Sequence, residues 1–213
     1  MSDAPGRFIS LEGGEGVGKS TQAHRLAGAL RARGLEVVET REPGGSPGAE
    51  AIRALLMQGG AGRWTPETEA LLFAAARSDH VARIIRPALM RGAWVISDRF
   101  VDSSLAYQGG ADGLGQHAIR TLHAIGSGGL LPDRTILLAM PLHEASYREW
   151  VRDAGELDRF GARGEAYHAR VAETFAALKA DPANRPERYR TVSALGEVSA
   201  VTDRLIAALA DLL

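Results

Sequence analysis

The octapeptide Gly13-Gly14-Glu15-Gly16-Val17-Gly18-Lys19-Ser20 lies between an apolar run and a helical stretch, and few short sequences restrict a fold so severely. Its glycines let successive backbone N–H groups curl around one anion, and the N-terminus of the following helix adds the positive end of its dipole. The pattern is G-x-x-x-x-G-K-[ST], which requires a strand before it and a helix after it. It predicts a nucleotide-binding set of Gly13, Gly14, Glu15, Gly16, Val17, Gly18, Lys19, Ser20 and Thr21. Lys19 reaches the β- and γ-phosphates, and the Ser20 hydroxyl meets Mg²⁺. Only Lys19 and Lys179 are lysines among 25 basic residues. A compact ammonium therefore stands at the one place where a guanidinium fork is chemically distinct from it.

Glu15 is unexpected, because a carboxylate facing into an anion cradle would repel a triphosphate. Two readings fit. It either turns across the crevice to a sugar hydroxyl, an arginine or a metal-bound water, or it is a solvated loop charge.

Beyond the loop, short apolar runs alternate with longer helical patterns, the signature of a parallel sheet with crossover helices. Strands are predicted at residues 7–11, 36–40, 93–97, 134–140 and 189–192. Helices are predicted at 20–33, stopped by Gly34, and at 49–57, 116–125, 142–152, 165–179 and 198–212. Another starts at Thr65-Pro66 and runs towards Pro87, where it should kink or break. The whole chain of 213 residues, 45% hydrophobic and 24% charged, fits one α/β domain.

Composition excludes several chemistries. With no cysteine there are no disulfides, thiolate metal sites or cysteine nucleophiles, and the six histidines show no zinc-type spacing. A net charge of −1 leaves no footprint for bulk nucleic-acid binding. The absence of a long apolar run or a secretory start predicts a cytoplasmic protein with no membrane partner.

The unusual residues cluster by position. Gly13 to Ser20, Arg41 to Gly45, and Asp98 with Arg99 each follow a predicted strand, so all three face the carboxyl edge at which open parallel sheets bind ligands. Asp98 suits a carboxylate that touches metal-bound water beside Ser20, or else it forms a surface pair with Arg99. Phe73, Arg77 and His80 share one helical face. Ring and guanidinium suit a nucleotide, although Phe73 taken alone also suits a core, and His80 reads as structural.

Four motifs taken together resemble the thymidylate kinases of the nucleoside-monophosphate kinase lineage, over essentially the whole chain. They are the phosphate loop with its internal acid, Thr40-Arg41-Glu42-Pro43-Gly44-Gly45, Leu72-Phe73-Ala74-Ala75-Ala76-Arg77, and Asp98-Arg99-Phe100 continuing through Asp102-Ser103-Ser104 to Ala106-Tyr107-Gln108-Gly109. The resemblance implies a P-loop kinase fold, a five-stranded parallel sheet flanked by helices on both faces, with a short mobile lid at about 150–164. It implies Mg²⁺-dependent transfer from ATP to thymidine monophosphate (dTMP), and a homodimer.

It also implies roles. Phe73 stacks on thymine, Arg77 grips the acceptor phosphate, Ser104 lies near the base edge, and Ser103 and Gln108 belong to the same substrate set. Tyr107 crowds the sugar 2′ position, Glu15 approaches the 3′-hydroxyl, and Arg41, Glu42 and Pro43 shape the acceptor pocket. Arg99 sits between the exchanging phosphates. Lid arginines then complete the catalytic set. Gly155-Glu156-Leu157-Asp158-Arg159 resembles the lid signature, and Arg152 and Arg159 are its expected phosphate contacts, in a lid with fewer arginines than the pattern leads one to expect. Ala139 stands where the family's fourth strand commonly ends in aspartate. Such departures leave a deoxynucleoside kinase with a hydroxyl acceptor, or a nucleotide-binding protein with an impaired lid, as the competing readings.

Overall fold

A computed structural model describes residues 5–60, 62–152 and 159–213, the side chains of Glu149 and Arg152 excepted. Its strands are β1 Phe8–Glu12, β2 Val37–Arg41, β3 Trp94–Asp98, β4 Arg134–Ala139 and β5 Tyr189–Ser193, paired in parallel in the order β2-β3-β1-β4-β5. Each lies within one residue of its predicted span. All five side chains of β1 are buried, as expected where helices cover both faces of a parallel sheet. Alternation splits the core in two. Phe8 and Val95 pack on one face with Ile85, Phe100 and Leu105, while Ile9, Leu11 and Ile96 pack on the other with Leu26, Leu30 and Leu205.

Helix α1 spans Lys19–Arg31 and ends two residues before its predicted limit, with Gly34 at φ 82 donating its N–H to the Arg31 carbonyl. Helix α2, Pro47–Met57, starts two residues early because the Ser46 hydroxyl caps it and proline takes its first position. Thr65 caps α3, Pro66–His80, as predicted. The break before Pro87 takes the form of a π segment, Val81–Ile85, followed by α4, Arg86–Met90. A proline cannot donate to the carbonyl four residues back, and the wider turn makes room for its ring.

The sequence pattern did not predict the next element, α5 at Val101–Ser104 continuing as a π segment over Leu105–Ala111. Its two glycines, Gly109 and Gly110, mask it. Gly110 is needed there, because a Cβ would lie 2.2 Å from the Thr174 hydroxyl. Helices α6 Gln116–Ser127, α7 Leu142–Arg152, α8 Glu165–Ala180 and α9 Val198–Ala207 complete the layers, the last ending in turns rather than reaching residue 212. Among the described residues no helix is long and apolar enough to cross a membrane.

The register aligns the functional edge. Leu11 of β1 and Arg41 of β2 both lie opposite Asp98 of β3, so the loops leaving these strands open side by side.

Candidate active site

These loops enclose a cavity of about 1040 Å³. On one side lies the phosphate loop. Gly16 and Gly18 take positive φ values of 72 and 89, conformations open to glycine at little cost. Gly13 is fixed by crowding as well, since a Cβ there would meet the Leu138 carbonyl at 2.7 Å. The Lys19 ammonium donates to the Gly14 carbonyl at 2.5 Å. Burial lowers its pKa to about 8, and neighbouring Arg99 adds to the effect while Glu15, Asp98 and Glu12 oppose it.

Ser20 Oγ donates to Asp98 Oδ2 at 2.5 Å. The other oxygen, Asp98 Oδ1, is buried with no hydrogen-bond partner. A hydroxyl beside an unsatisfied carboxylate oxygen fits Mg²⁺, a hard cation that keeps several water or phosphate ligands. That chemistry also accounts for finding no cluster of three His, Asp or Glu among the described residues.

Arg99 stands at the centre. Its backbone is left-handed, φ 70, a rare state for a residue with a Cβ, and its carbonyl accepts from Ser97 Oγ at 2.7 Å. Arg99 Nη1 donates to the Gly13 carbonyl at 3.1 Å and to Ser103 Oγ at 3.0 Å. Arg99 Nη2 reaches Glu15 Oε1 at 2.5 Å, and the Tyr107 hydroxyl donates to the same Glu15 oxygen at 3.1 Å. Of the two readings for Glu15, the turn across the crevice to an arginine is the one observed. Burial would raise its pKa, but Arg99, Lys19 and Tyr107 together hold it down at about 2.

The opposite wall carries Phe73, edge-on to Phe160 with centroids 5.8 Å apart, together with Gln108, Ser103, Ser104 and Tyr107. Arg77 is almost wholly buried. Its Nε donates to Glu42 Oε2 at 2.7 Å and its Nη2 to Ser104 Oγ at 2.8 Å. Arg77 thus lines the crevice with its guanidinium held between Glu42 and Ser104. His80 is structural, 3.0 Å from Glu42 Oε1 and 2.7 Å from Thr40 Oγ1. Arg41, half-exposed, pairs with Glu50 at 3.1 Å, and Arg53 donates to the Pro43 carbonyl at 2.7 Å.

Arg159 lies apart from the residues that line the crevice. Its side chain is fully buried, paired with Glu69 and donating to the Leu56 carbonyl at 2.9 Å, so it supports the fold and does not line the crevice. The side chain of Arg152 and residues 153–158, the rest of the predicted lid signature, lie outside the described residues.

Two contributors, Glu12 and Glu69, escaped the sequence reading. Glu12 takes the Phe100 N–H at 2.8 Å and the Ser103 hydroxyl at 2.6 Å. Burial, reinforced by Asp102, raises its pKa to about 8. An acid closing an apolar strand is a usable signal for such a residue. Glu69, the other, is 1% exposed. Arg148, four residues before Arg152 on one helical face and so able to point into the crevice, lines the cavity and donates to the Ala194 carbonyl at 3.4 Å.

A phosphate loop at the sheet edge, facing an aromatic and arginine-bearing wall across one crevice, defines a P-loop nucleotide kinase. A family model described as thymidylate kinase matches residues 11–205. The chain is 66% identical over 209 residues to the thymidylate kinase of Rhizorhabdus wittichii, covering 98% of this chain and 99% of that one. It is 47% identical to that of Caulobacter vibrioides, covering 92% of each. The crystal structure of thymidylate kinase from Ehrlichia chaffeensis superposes with a TM-score of 0.76 at 31% identity, covering 96% of this chain and all of that one. The chain belongs to the thymidylate kinase family.

Proposed function

We propose that this crevice passes the γ-phosphoryl group of ATP to the 5′-phosphate of dTMP, giving ADP and thymidine diphosphate for dTTP synthesis in the cytoplasm. The observation that carries the reading is Arg99, held by a left-handed turn between the Gly13 carbonyl on the donor side and Ser103 on the acceptor side.

The donor triphosphate occupies the loop from Gly13 to Thr21, where backbone N–H groups and Lys19 face it. Burial lowers the Lys19 pKa to about 8, and anionic phosphate oxygens beside it favour its charged form. Ser20 and Asp98 would hold Mg²⁺, which when bound would neutralise charge on the transferring phosphates. Arg148 stands where the cavity passes Ala194 and Gly196, the far end from the acceptor, and so faces the donor base.

On the acceptor side Phe73 offers its ring to thymine, with Arg77, Ser104 and Gln108 at the base edge. Tyr107 fills the space beside the sugar 2′ carbon, and Glu15 faces the 3′-hydroxyl. The acceptor phosphate falls to Arg99 and Arg41, with Glu42 and Pro43 shaping the floor. A nucleotide phosphate has a second pKa of about 6, so its attacking oxygen is already ionised at neutral pH and no general base is required. Arg152, on the lid, supplies the remaining charge to the transferred group. Positioning and charge neutralisation make up the catalysis.

The test is ADP release from ATP and Mg²⁺ with thymidine, dTMP and the other common nucleoside monophosphates offered singly. Selective turnover with dTMP supports the reading. Turnover with thymidine itself, or binding of dTMP without turnover, sinks it.

A further inference from the structure

Glu69 sits in the first turn of α3, a position where acids usually face water and complement the helix dipole, yet it is 1% exposed. Its two oxygens do separate work. Oε1 accepts from Gln108 Nε2 at 2.8 Å. Oε2 accepts from Arg159 and from Arg163, the latter at 2.9 Å. Arg159 and Arg163 lie in the C-terminal part of the expected lid segment, about 150–164, so one carboxylate joins that end of the segment to a side chain that lines the substrate cavity.

A carboxylate only accepts hydrogen bonds, so the Gln108 amide has a single allowed orientation. Its NH₂ faces Glu69, and its carbonyl oxygen is left for the cavity. A base edge meeting that oxygen must present a donor. Thymine carries N3–H there, whereas cytosine carries a lone pair at N3.

We propose that Glu69 is a positioning residue that fixes the Gln108 amide with its acceptor oxygen towards the nucleobase, and thereby selects a pyrimidine bearing N3–H. The proposal rests on the reading above that places Gln108 at the base edge. It has a sharp consequence. In Glu69→Gln, Arg159 and Arg163 still demand an acceptor, so the new amide turns its oxygen to them and its NH₂ to Gln108. Gln108 must then reverse, presenting NH₂ to the base. The site becomes mismatched to dTMP and better matched to dCMP.

The experiment measures kcat/KM for dTMP and for dCMP in the wild type, E69Q, Gln108→Met and the double variant. E69Q is expected to lower the dTMP over dCMP preference by about 10- to 100-fold, the scale of one buried hydrogen bond reversed. It should add no further change in the Q108M background. Should E69Q fail to fold, Glu69→Asp keeps the charge against Arg159 and Arg163 but withdraws from Gln108, and the preference should again fall. An equal loss for both nucleotides, with the preference intact in the Glu69 variants but lost in Q108M, overturns the inference and leaves Glu69 a brace for the lid root. A preference unchanged even by Q108M overturns the base-edge reading of Gln108 on which it rests.

Discussion

Arg99 and Glu15 form an ion pair of 2.5 Å that spans the gap between the phosphate loop and the acceptor wall. Both side chains are largely buried, so the pair is little screened by solvent. An incoming phosphate must share a guanidinium already pre-aimed by Gly13, Ser103 and Glu15.

Arg99→Ala is therefore expected to lower kcat by about 10³-fold, the scale of removing a charge from a phosphoryl-transfer site. Arg99→Lys should recover little, since an ammonium cannot bridge Gly13, Ser103 and Glu15 together. Steady-state kinetics with saturating ATP separates the loss into kcat and KM for dTMP. A KM effect alone would reduce Arg99 to a binding group.

Glu12 makes stability depend on pH in an unusual direction. Its folded pKa of about 8 lies above the ordinary value of 4.5, so between these pH values the folded chain holds a proton that the unfolded chain has released. Stability contributed by this group is full below about 4.5, declines as pH rises through the window, and is lost above about 8. Glu12→Gln mimics the protonated acid, accepting from Phe100 and donating to Ser103. Urea unfolding across this range should show a shallower decline for E12Q than for the wild type. Parallel curves would refute the assignment.

The strands were legible in the sequence because buried parallel strands are short, apolar and bounded by turn residues. The phosphate loop and Asp98 were legible because their chemistry is tied to strand ends. Less visible were side chains whose role depends on what a distant helix brings to them. Glu69 looks like an ordinary acid of a helical first turn until Gln108, Arg159 and Arg163 arrive from more than thirty residues away. The partner of Arg159 was hidden for the same reason: its family motif marks a lid, while Glu69 lies on α3. For Arg77, helical spacing gives its face but not the depth fixed by Glu42.

Gly45 tests how far the buried chain Thr40-His80-Glu42-Arg77 supports the base pocket. A Cβ at this position would lie 2.4 Å from Thr40 Oγ1 and 2.6 Å from His80 Nε2, and φ is 87. Gly45→Ala should cost roughly 2 kcal/mol in chemical denaturation, from left-handed strain and a displaced histidine. The KM for dTMP should rise as Arg77 loosens. A rise without loss of stability would locate the damage in the loop alone.

The expected homodimer has a candidate surface. Leu71 and Ile125 are 56% and 80% exposed, on α3 and α6, which pack closely enough for Gly126 to sit against Ala74 and Ser78. Leu71 and Ala75, four apart on α3, both face outward. Exposed apolar side chains on adjoining helices suit a second copy of the chain. Leu71→Arg should convert a dimer to a monomer in sedimentation velocity, and an unchanged coefficient would exclude this face.

Arg152 and Arg159 looked equivalent as lid cations, but their surroundings now separate them. Arg159 is enclosed, and its removal leaves the buried Glu69 with less positive charge than it needs, which in a low-dielectric interior is a fold defect. Arg159→Ala should therefore lose roughly 3 kcal/mol of stability, while the fraction that remains folded keeps most of its turnover. Arg152 belongs to the last turn of α7. If it meets the transferred phosphoryl only on closure, Arg152→Ala should lower kcat by about 10²-fold with stability and dTMP affinity unchanged. Thermal unfolding and kinetics on both variants distinguish the two roles. A kinetic defect in R159A that exceeds its unfolded fraction would return Arg159 to the lid, because a purely structural residue cannot slow the turnover of molecules that are folded.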